Sequence, residues 1–128
     1  NRSKERGERL ARDINKFAGS NLSSTINNPP KNVDIIINTT PLGMWPRINT
    51  NPLEGYLFNS QTIVCDIVYN PSITTLLRNA HKCGCVTIQG MGMLVGQGVK
   101  AIEIWTEELI DHSIIQSVSH ELNNILKK

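Results

Sequence analysis

Four short segments of this chain hold side chains suited to gripping a polar, phosphate-bearing ligand. The first is Asn1-Arg2-Ser3 with Arg6. Arg2 and Arg6 are four residues apart, so both face one side of a helix that starts here. Helix-start amides donate hydrogen bonds, and arginine adds bidentate, charge-assisted ones, so together they make a phosphate site. The competing reading is a solvated basic helix face with the i,i+4 pairs Glu5–Arg9 and Glu8–Arg12. The second segment, Asn38-Thr39-Thr40-Pro41-Leu42-Gly43-Met44, presents an amide, two hydroxyls and turn backbone after an apolar run. The third is Asp66-Ile67-Val68-Tyr69-Asn70-Pro71. Asp66 lies inside an apolar run, where a carboxylate needs a partner, and Tyr69 ends that run with a hydroxyl. In the fourth, Gly90-Met91-Gly92-Met93-Leu94-Val95-Gly96-Gln97, the glycines permit close backbone approach to a ligand, and Gln97 offers a donor and an acceptor.

These segments need elements to position them. Leu10, Ile14 and Phe17 form a narrow apolar stripe that predicts an opening helix, with Ser3 as its N-cap and Gly19 as its stop. Residues 20–32 are rich in Ser, Asn and Thr and predict a loop, with at most a short strand over Leu22 to Ile26. Val33 to Asn38 is a β-branched run that suits a strand buried on both faces. Trp45 to Gly55 predicts a long loop, Thr62 to Tyr69 a second strand, Thr74 to Lys82 a helix with Leu76, Leu77 and Ala80 inward, and Cys85 to Ile88 a short strand. Leu94, Val95, Val99, Ile102, Trp105 and Leu109 mark a long amphipathic helix. A last helix starts at Asp111 or Ser113, with Ile114, Ile115, Val118, Leu122, Ile125 and Leu126 inward.

This order predicts an α/β fold with a mainly parallel sheet. Ligands of such sheets sit beyond the carboxyl ends of the strands. Asn38 to Gly43, Ile67 to Pro71 and Gln89 to Gln97 are therefore expected along one rim.

Composition narrows the function classes. The chain has 128 residues and a formal net charge of +2, too small a surplus for a general nucleic-acid binder. The charge is uneven: residues 1–16 carry six bases and three acids, the remainder seven bases and eight acids. An anionic partner is thus expected at the start of the chain. No apolar run approaches the roughly 18 residues of a membrane-spanning helix, and the basic, polar start predicts no signal peptide. Three cysteines, two of them one residue apart, make a poor disulfide framework and predict a reducing, cytoplasmic compartment. His81-Lys82-Cys83-Gly84-Cys85 lacks zinc-ligand spacing, and no metal is expected. The start without Met, directly into a helical pattern, predicts a fragment.

Taken in order, the segments resemble the C-terminal NADP-binding domain of the shikimate dehydrogenase family. The resemblance rests on Asn1-Arg2-Ser3 with Arg6, Asp34 to Met44, Asp66 to Pro71 with Thr75-Leu76-Leu77, and Gly90 to Gln97 with Glu103-Ile104-Trp105. It implies a Rossmann-like, mainly parallel sheet with flanking helices, incomplete at its N-terminal side, so that residues 1–128 form a partial NADP-binding domain with C-terminal helices. It implies NADP-dependent reduction of 3-dehydroshikimate to shikimate, in aromatic amino-acid biosynthesis. Asn1, Arg2, Ser3 and Arg6 are then expected on the adenosine ribose and its 2′-phosphate. Thr39, Thr40 and Pro41 are expected along the cofactor, with Ile67, Gly90 and Met93 near the nicotinamide. Tyr69 and Gln97 are expected to reach the substrate. The family's substrate domain, its catalytic lysine–aspartate pair and its glycine-rich pyrophosphate turn have no counterpart in these residues, so no catalytic residue is expected here and the chain alone is expected to be inactive. Partners implied are the small-molecule substrate, a substrate domain and a second copy in a homodimer, with no nucleic acid and no membrane. A quinate/shikimate dehydrogenase using NAD(P) and a non-catalytic nucleotide-binding module are the alternatives.

Overall fold

The computed structural model describes residues 3–26 and 29–126; Asn1 and Arg2, expected at the phosphate site, lie outside the described residues. The chain forms two compact units, residues 1–30 and residues 31–128.

The first unit is built on helix α1, Lys4–Ala18. Ser3 caps it, its hydroxyl accepting from the Arg6 amide, and Gly19 closes it in the left-handed conformation at φ 66°. Both ends follow the sequence reading, but the expected apolar stripe does not. Gly7 and Ala11 are the buried positions, while Leu10, Ile14 and Phe17 are 57, 40 and 96% exposed. Two small residues one turn apart make the tightest face of the helix, and that face is the one covered. Asn15 ties down the chain that follows: its Oδ1 accepts from the Leu22 and Ser23 amides at 2.9 and 2.7 Å, and its Nδ2 donates to the Ser23 carbonyl at 2.8 Å. With its backbone held by a side chain, the 21–26 segment is irregular and forms no strand.

The second unit holds β1 (Ile35–Asn38), β2 (Ile63–Asp66), α2 (Thr75–Lys82), β3 (Val86–Ile88), α3 (Met91–Thr106) and α4 (His112–Leu126). The strands lie in the order β1-β2-β3, and both pairings are parallel. Register aligns Ile35 with Ile63 and Val86, and Ile37 with Cys65 and Ile88. The core is Val64, Leu76, Leu77, Ala80 and Cys85, with Ile36, Leu53 and Phe58 packed against it. The three inward positions expected on α2 are all in this core.

The core takes one face of the sheet. On the opposite face Ile35 and Ile37 are each 58% exposed, and Val86 and Ile88 are 61 and 50% exposed. The expectation that the first strand is buried on both faces is therefore corrected. Within this unit α2 is the helix that contacts the strands, whereas α3 contacts α4.

The helix faces also differ from the sequence reading. In α3, Met91 and Val95 are buried, Leu94 and Val99 half-buried, and Ile102 and Trp105 exposed. The helix ends at Thr106 with Glu107 left-handed, so Leu109 lies beyond it. In α4 the half-buried positions are Ile115, Ser119, Leu122, Asn123 and Leu126, while Ile114, Val118 and Ile125 face outward. Asp111 caps α4, its carbonyl accepting from Ile114 and its carboxylate from Ser113. Among the described residues no helix is long and apolar enough to cross a membrane.

Candidate functional site at the carboxyl rim of the sheet

Because the three strands are parallel, their carboxyl ends share one rim, as expected. Each strand delivers a different segment there: Thr39 to Gly43 after β1, Ile67 to Pro71 after β2, and Gln89 with Gly90 after β3.

A buried polar brace holds the first two together. Asp66 is fully buried at the end of β2, Thr74 is 1% exposed and Asn38 is 5% exposed. Asn38 Nδ2 donates to Asp66 Oδ1 at 3.0 Å, and the Val68 amide donates to the same oxygen at 3.0 Å. The Thr74 hydroxyl donates to Asp66 Oδ2 at 2.7 Å. Both carboxylate oxygens are thus satisfied, as the cost of an unpaired buried charge requires. Thr74 also accepts from the Leu77 amide at 3.3 Å, which makes it the N-cap of α2. The Asn38 carbonyl accepts from the Ile67 amide at 3.1 Å, extending the pairing of β1 and β2 past their last residues.

The turn after β1 is organised by the same asparagine. Asn38 Oδ1 accepts from the Thr40 amide and hydroxyl at 3.0 and 2.7 Å, and the Leu42 amide donates to Thr40 Oγ1 at 3.3 Å. The Thr40 hydroxyl is therefore spent on the turn. Thr39, Thr40 and Pro41 are exposed at the rim, and Thr39 makes no side-chain hydrogen bond among the described residues. Gly43 adopts φ 91°, donates to Thr50 Oγ1 at 2.7 Å and has Thr74 Cβ 3.4 Å from where its own Cβ would stand. The Trp45 amide donates to the Asn70 carbonyl at 2.9 Å and links the first rim segment to the second.

Gly90 meets the second segment directly. A Cβ there would lie 2.3 Å from the Ile67 carbonyl oxygen and 2.7 Å from that of Val68. The close approach expected of this glycine is made by the protein's own backbone. Next to it, α3 begins: Leu94 donates to the Gly90 carbonyl at 3.0 Å. Met91 is 4% exposed and Met93 45%, so Met91 fills the interior while Met93 stands outward. Gln97 is exposed on α3, and Tyr69 is 37% exposed after β2. Ile67, Tyr69 and Gly90 are thus joined at the rim with the 39–41 turn; Met93 and Gln97 follow on the helix that leaves it.

In the first unit, Arg6 is exposed on α1. Glu5 also occupies this helix start. Ser3 donates to Glu5 Oε2 at 2.9 Å. Hydrogen bonding to its own backbone amide, then to Ser3, holds the Glu5 carboxyl below the usual carboxylate range. The expected pairs Glu5–Arg9 and Glu8–Arg12 are absent among the described residues; Lys4 Nζ instead stands 3.9 Å from Glu8.

Thr74 and the pairing of Asn38 with Asp66 were missed in the sequence. The sequence signals that Asp66 needs a partner, as a carboxylate in an apolar run, and offers Thr74 as a hydroxyl just before the first residue of α2, but it does not name Asn38 as the partner. Burial, followed by the Asp66 charge, raises the Cys65 thiol pKa, which makes it a poor nucleophile. Among the described residues no group of three or more His, Cys, Asp or Glu could hold a metal ion.

The sequence is 40% identical over 121 residues to the shikimate dehydrogenase (NADP(+)) of Methanococcus aeolicus, covering 91% of this chain and 44% of that protein. The chain belongs to the shikimate dehydrogenase family. No family model matches the sequence. Among solved structures, a shikimate dehydrogenase in complex with NADP+ superposes with a TM-score of 0.78 at 31% identity, covering 94% of this chain and 44% of that one. The quinate dehydrogenase of Corynebacterium glutamicum in complex with NAD superposes at 0.75 and 28% identity, covering 88% and 42%. The chain therefore spans less than half the length of these shikimate dehydrogenase relatives.

Proposed function

We propose that this chain binds NADP and orients its nicotinamide in an oxidoreductase that converts 3-dehydroshikimate to shikimate, in aromatic amino-acid biosynthesis. The observation that carries the reading is the braced rim: three parallel carboxyl ends, locked by Asn38, Asp66 and Thr74, with exposed backbone and hydroxyl groups above them. The residues fit a dinucleotide. Gly90 lets the start of α3 close directly onto the Ile67 and Val68 carbonyls, which sets the backbone of these segments as the floor on the nicotinamide side. Thr39, Thr40 and Pro41 form an exposed ledge for the cofactor, and Met93 flanks the nicotinamide. Asn1, Arg2, Ser3 and Arg6 hold the adenosine ribose and its 2′-phosphate, where arginine forks suit a phosphate.

When bound, the reduced nicotinamide supplies a hydride to the substrate C3 carbonyl. The chain's own part is positioning, which lowers the barrier by fixing the approach of the two reactants. Tyr69 and Gln97 hydrogen-bond the substrate's hydroxyls or carboxylate. Proton transfer belongs to a substrate-holding domain outside this chain. The exposed apolar side chains of α3 and α4, among them Ile102, Trp105 and Ile114, support such a partner, because exposed apolar patches mark interaction surfaces. Work in the cytoplasm and assembly as a homodimer complete the reading.

The similarity to an NAD-bound quinate dehydrogenase supports one alternative, a quinate/shikimate dehydrogenase using NAD(P). The decisive experiment fuses this chain behind the substrate-holding half of the Methanococcus aeolicus relative and follows NADPH oxidation. Reduction of 3-dehydroshikimate by the fusion, with none by the chain alone, is expected. A folded fusion that turns over only quinate, with NAD, establishes the alternative. One that binds nucleotide but reduces neither substrate points to a non-catalytic module.

A further inference from the structure

A groove of about 510 Å³ runs along the outer side of α2 beside β3. Ile73 and Leu77 form an apolar wall, while Arg78, His81 and Lys82 stand along it and Gln89 closes the end nearest the rim. Thr39, Thr40, Pro41, Tyr69 and Gln97 do not line it, so it is separate from the nucleotide ledge proposed above.

Its electrostatics are one-sided. No aspartate or glutamate occurs between Asp66 and Glu103, a stretch that supplies every wall of the groove. Arg78 donates one bond, from Nη2 to the Ile73 carbonyl at 3.4 Å, which leaves most of its guanidinium donors open. His81 and Lys82 make no side-chain hydrogen bond among the described residues, and the ion pairs there, Lys4–Glu8 and Lys100–Glu103, lie elsewhere. Low-dielectric walls lined by one sign of charge concentrate counter-ions, and a cavity of this size matches small-molecule sites.

We infer that the α2–β3 groove binds a small organic anion, a carboxylate or phosphate monoester carried on an apolar body. The apolar part lies on Ile73 and Leu77. The anionic group accepts from Arg78 and Lys82, and Gln89 takes a further polar substituent.

The test is a titration of the isotopically labelled full chain with phenyl phosphate, benzoate and, as an uncharged control, benzyl alcohol, read by amide chemical shifts. Saturable shifts over residues 77–82 and 87–89 are expected with one or both anions and not with benzyl alcohol. Phenyl phosphate alone identifies a phosphate site, and benzoate alone a carboxylate site. Arg78→Gln with Lys82→Gln should weaken binding at least tenfold while the urea midpoint stays within error; the single Lys82→Gln variant, expected to lose about threefold, serves if the pair unfolds. Saturating NADP+ should leave the affinity unchanged. Shifts confined to α1 or the 39–43 turn, equal response to benzyl alcohol, unaltered affinity in the variants, or displacement by NADP+ would each overturn the assignment.

Discussion

Asn38 and Asp66 are register partners on adjacent parallel strands, and their side chains join at 3.0 Å where both strands end. This one bond couples the turn that follows β1 to the segment that follows β2. Asn38 spends its Nδ2 on the carboxylate and its Oδ1 on Thr40. The exposed ledge thereby inherits its position from a buried pair.

Thr74 is the handle for testing this brace. Replacing it with valine keeps the shape, removes the donor to Asp66 Oδ2 and uncaps α2. Loss of a buried charge-assisted bond together with a cap costs about 2–4 kcal/mol. Urea unfolding should show that loss for Thr74→Val and recovery of most of it for Thr74→Ser. Equal stability of the valine variant and the parent would mean that Asp66 has no need of this hydroxyl.

Gly90 and Gly92 make a matched pair for alanine. At Gly90 the new methyl carbon meets backbone at 2.3 Å, which only displacement of Ile67 or of α3 can relieve, while at Gly92 nothing lies within 4 Å. Gly90→Ala should lower the melting temperature steeply and abolish nucleotide binding. Gly92→Ala, in the open first turn of α3, should leave stability equal to the parent or slightly higher. Scanning calorimetry of the two variants checks the contrast; similar melting curves would contradict it.

Why some of this was legible in the sequence follows from the same residues. Compact β-branched runs bounded by Asn-Thr-Thr-Pro and Asn-Pro left little choice for β1 and β2, and the order of strands and helices placed their ends on one rim. The caps Ser3 and Gly19 carried their own chemistry. Helix faces were harder. Apolar residues occur on several sides of α3 and α4, so periodicity alone could not select Met91 over Trp105, or Ile115 over Ile114. The α1 stripe misled because burial followed small side chains, Gly7 and Ala11, rather than large ones. The Asn38–Asp66 pairing needs a register between strands 28 residues apart, which no local pattern encodes.

Glu5 occupies the helix start at which a 2′-phosphate is proposed to bind, and a carboxylate there repels one. Glu5→Gln removes that charge while keeping the shape. NADP+ should bind several-fold more tightly to the variant and NAD+ about equally, as measured by calorimetric titration. A parallel change for both nucleotides would separate Glu5 from the 2′-phosphate.

Glu103 makes a pH-dependent tie between α3 and the segment leading to α4. The Ile110 amide donates to its Oε1 at 3.3 Å and Lys100 to its Oε2 at 3.2 Å. These bonds, the backbone one foremost, hold its carboxyl below the usual carboxylate range. A carboxyl depressed on folding stabilises above its unfolded pKa, and that contribution is lost as pH falls through the folded value. Exchange of the Ile110 amide, corrected for its intrinsic rate, should therefore accelerate as pH drops below about 4.5, and Glu103→Gln should flatten that dependence. An identical profile in the variant would assign the effect to another group.

The most direct measurement is the binding of NADP+ and NAD+ to the labelled full chain, followed by amide shifts. NADP+ should perturb Thr39, Thr40, Ile67 and Gly90 together with Ser3 and Arg6. Arg6→Ala should weaken NADP+ about tenfold or more, in line with loss of one bidentate charge-assisted contact, and leave NAD+ nearly unchanged. A folded chain whose rim amides do not respond to NADP+, or in which Arg6→Ala weakens both nucleotides equally, would contradict the proposed nucleotide site.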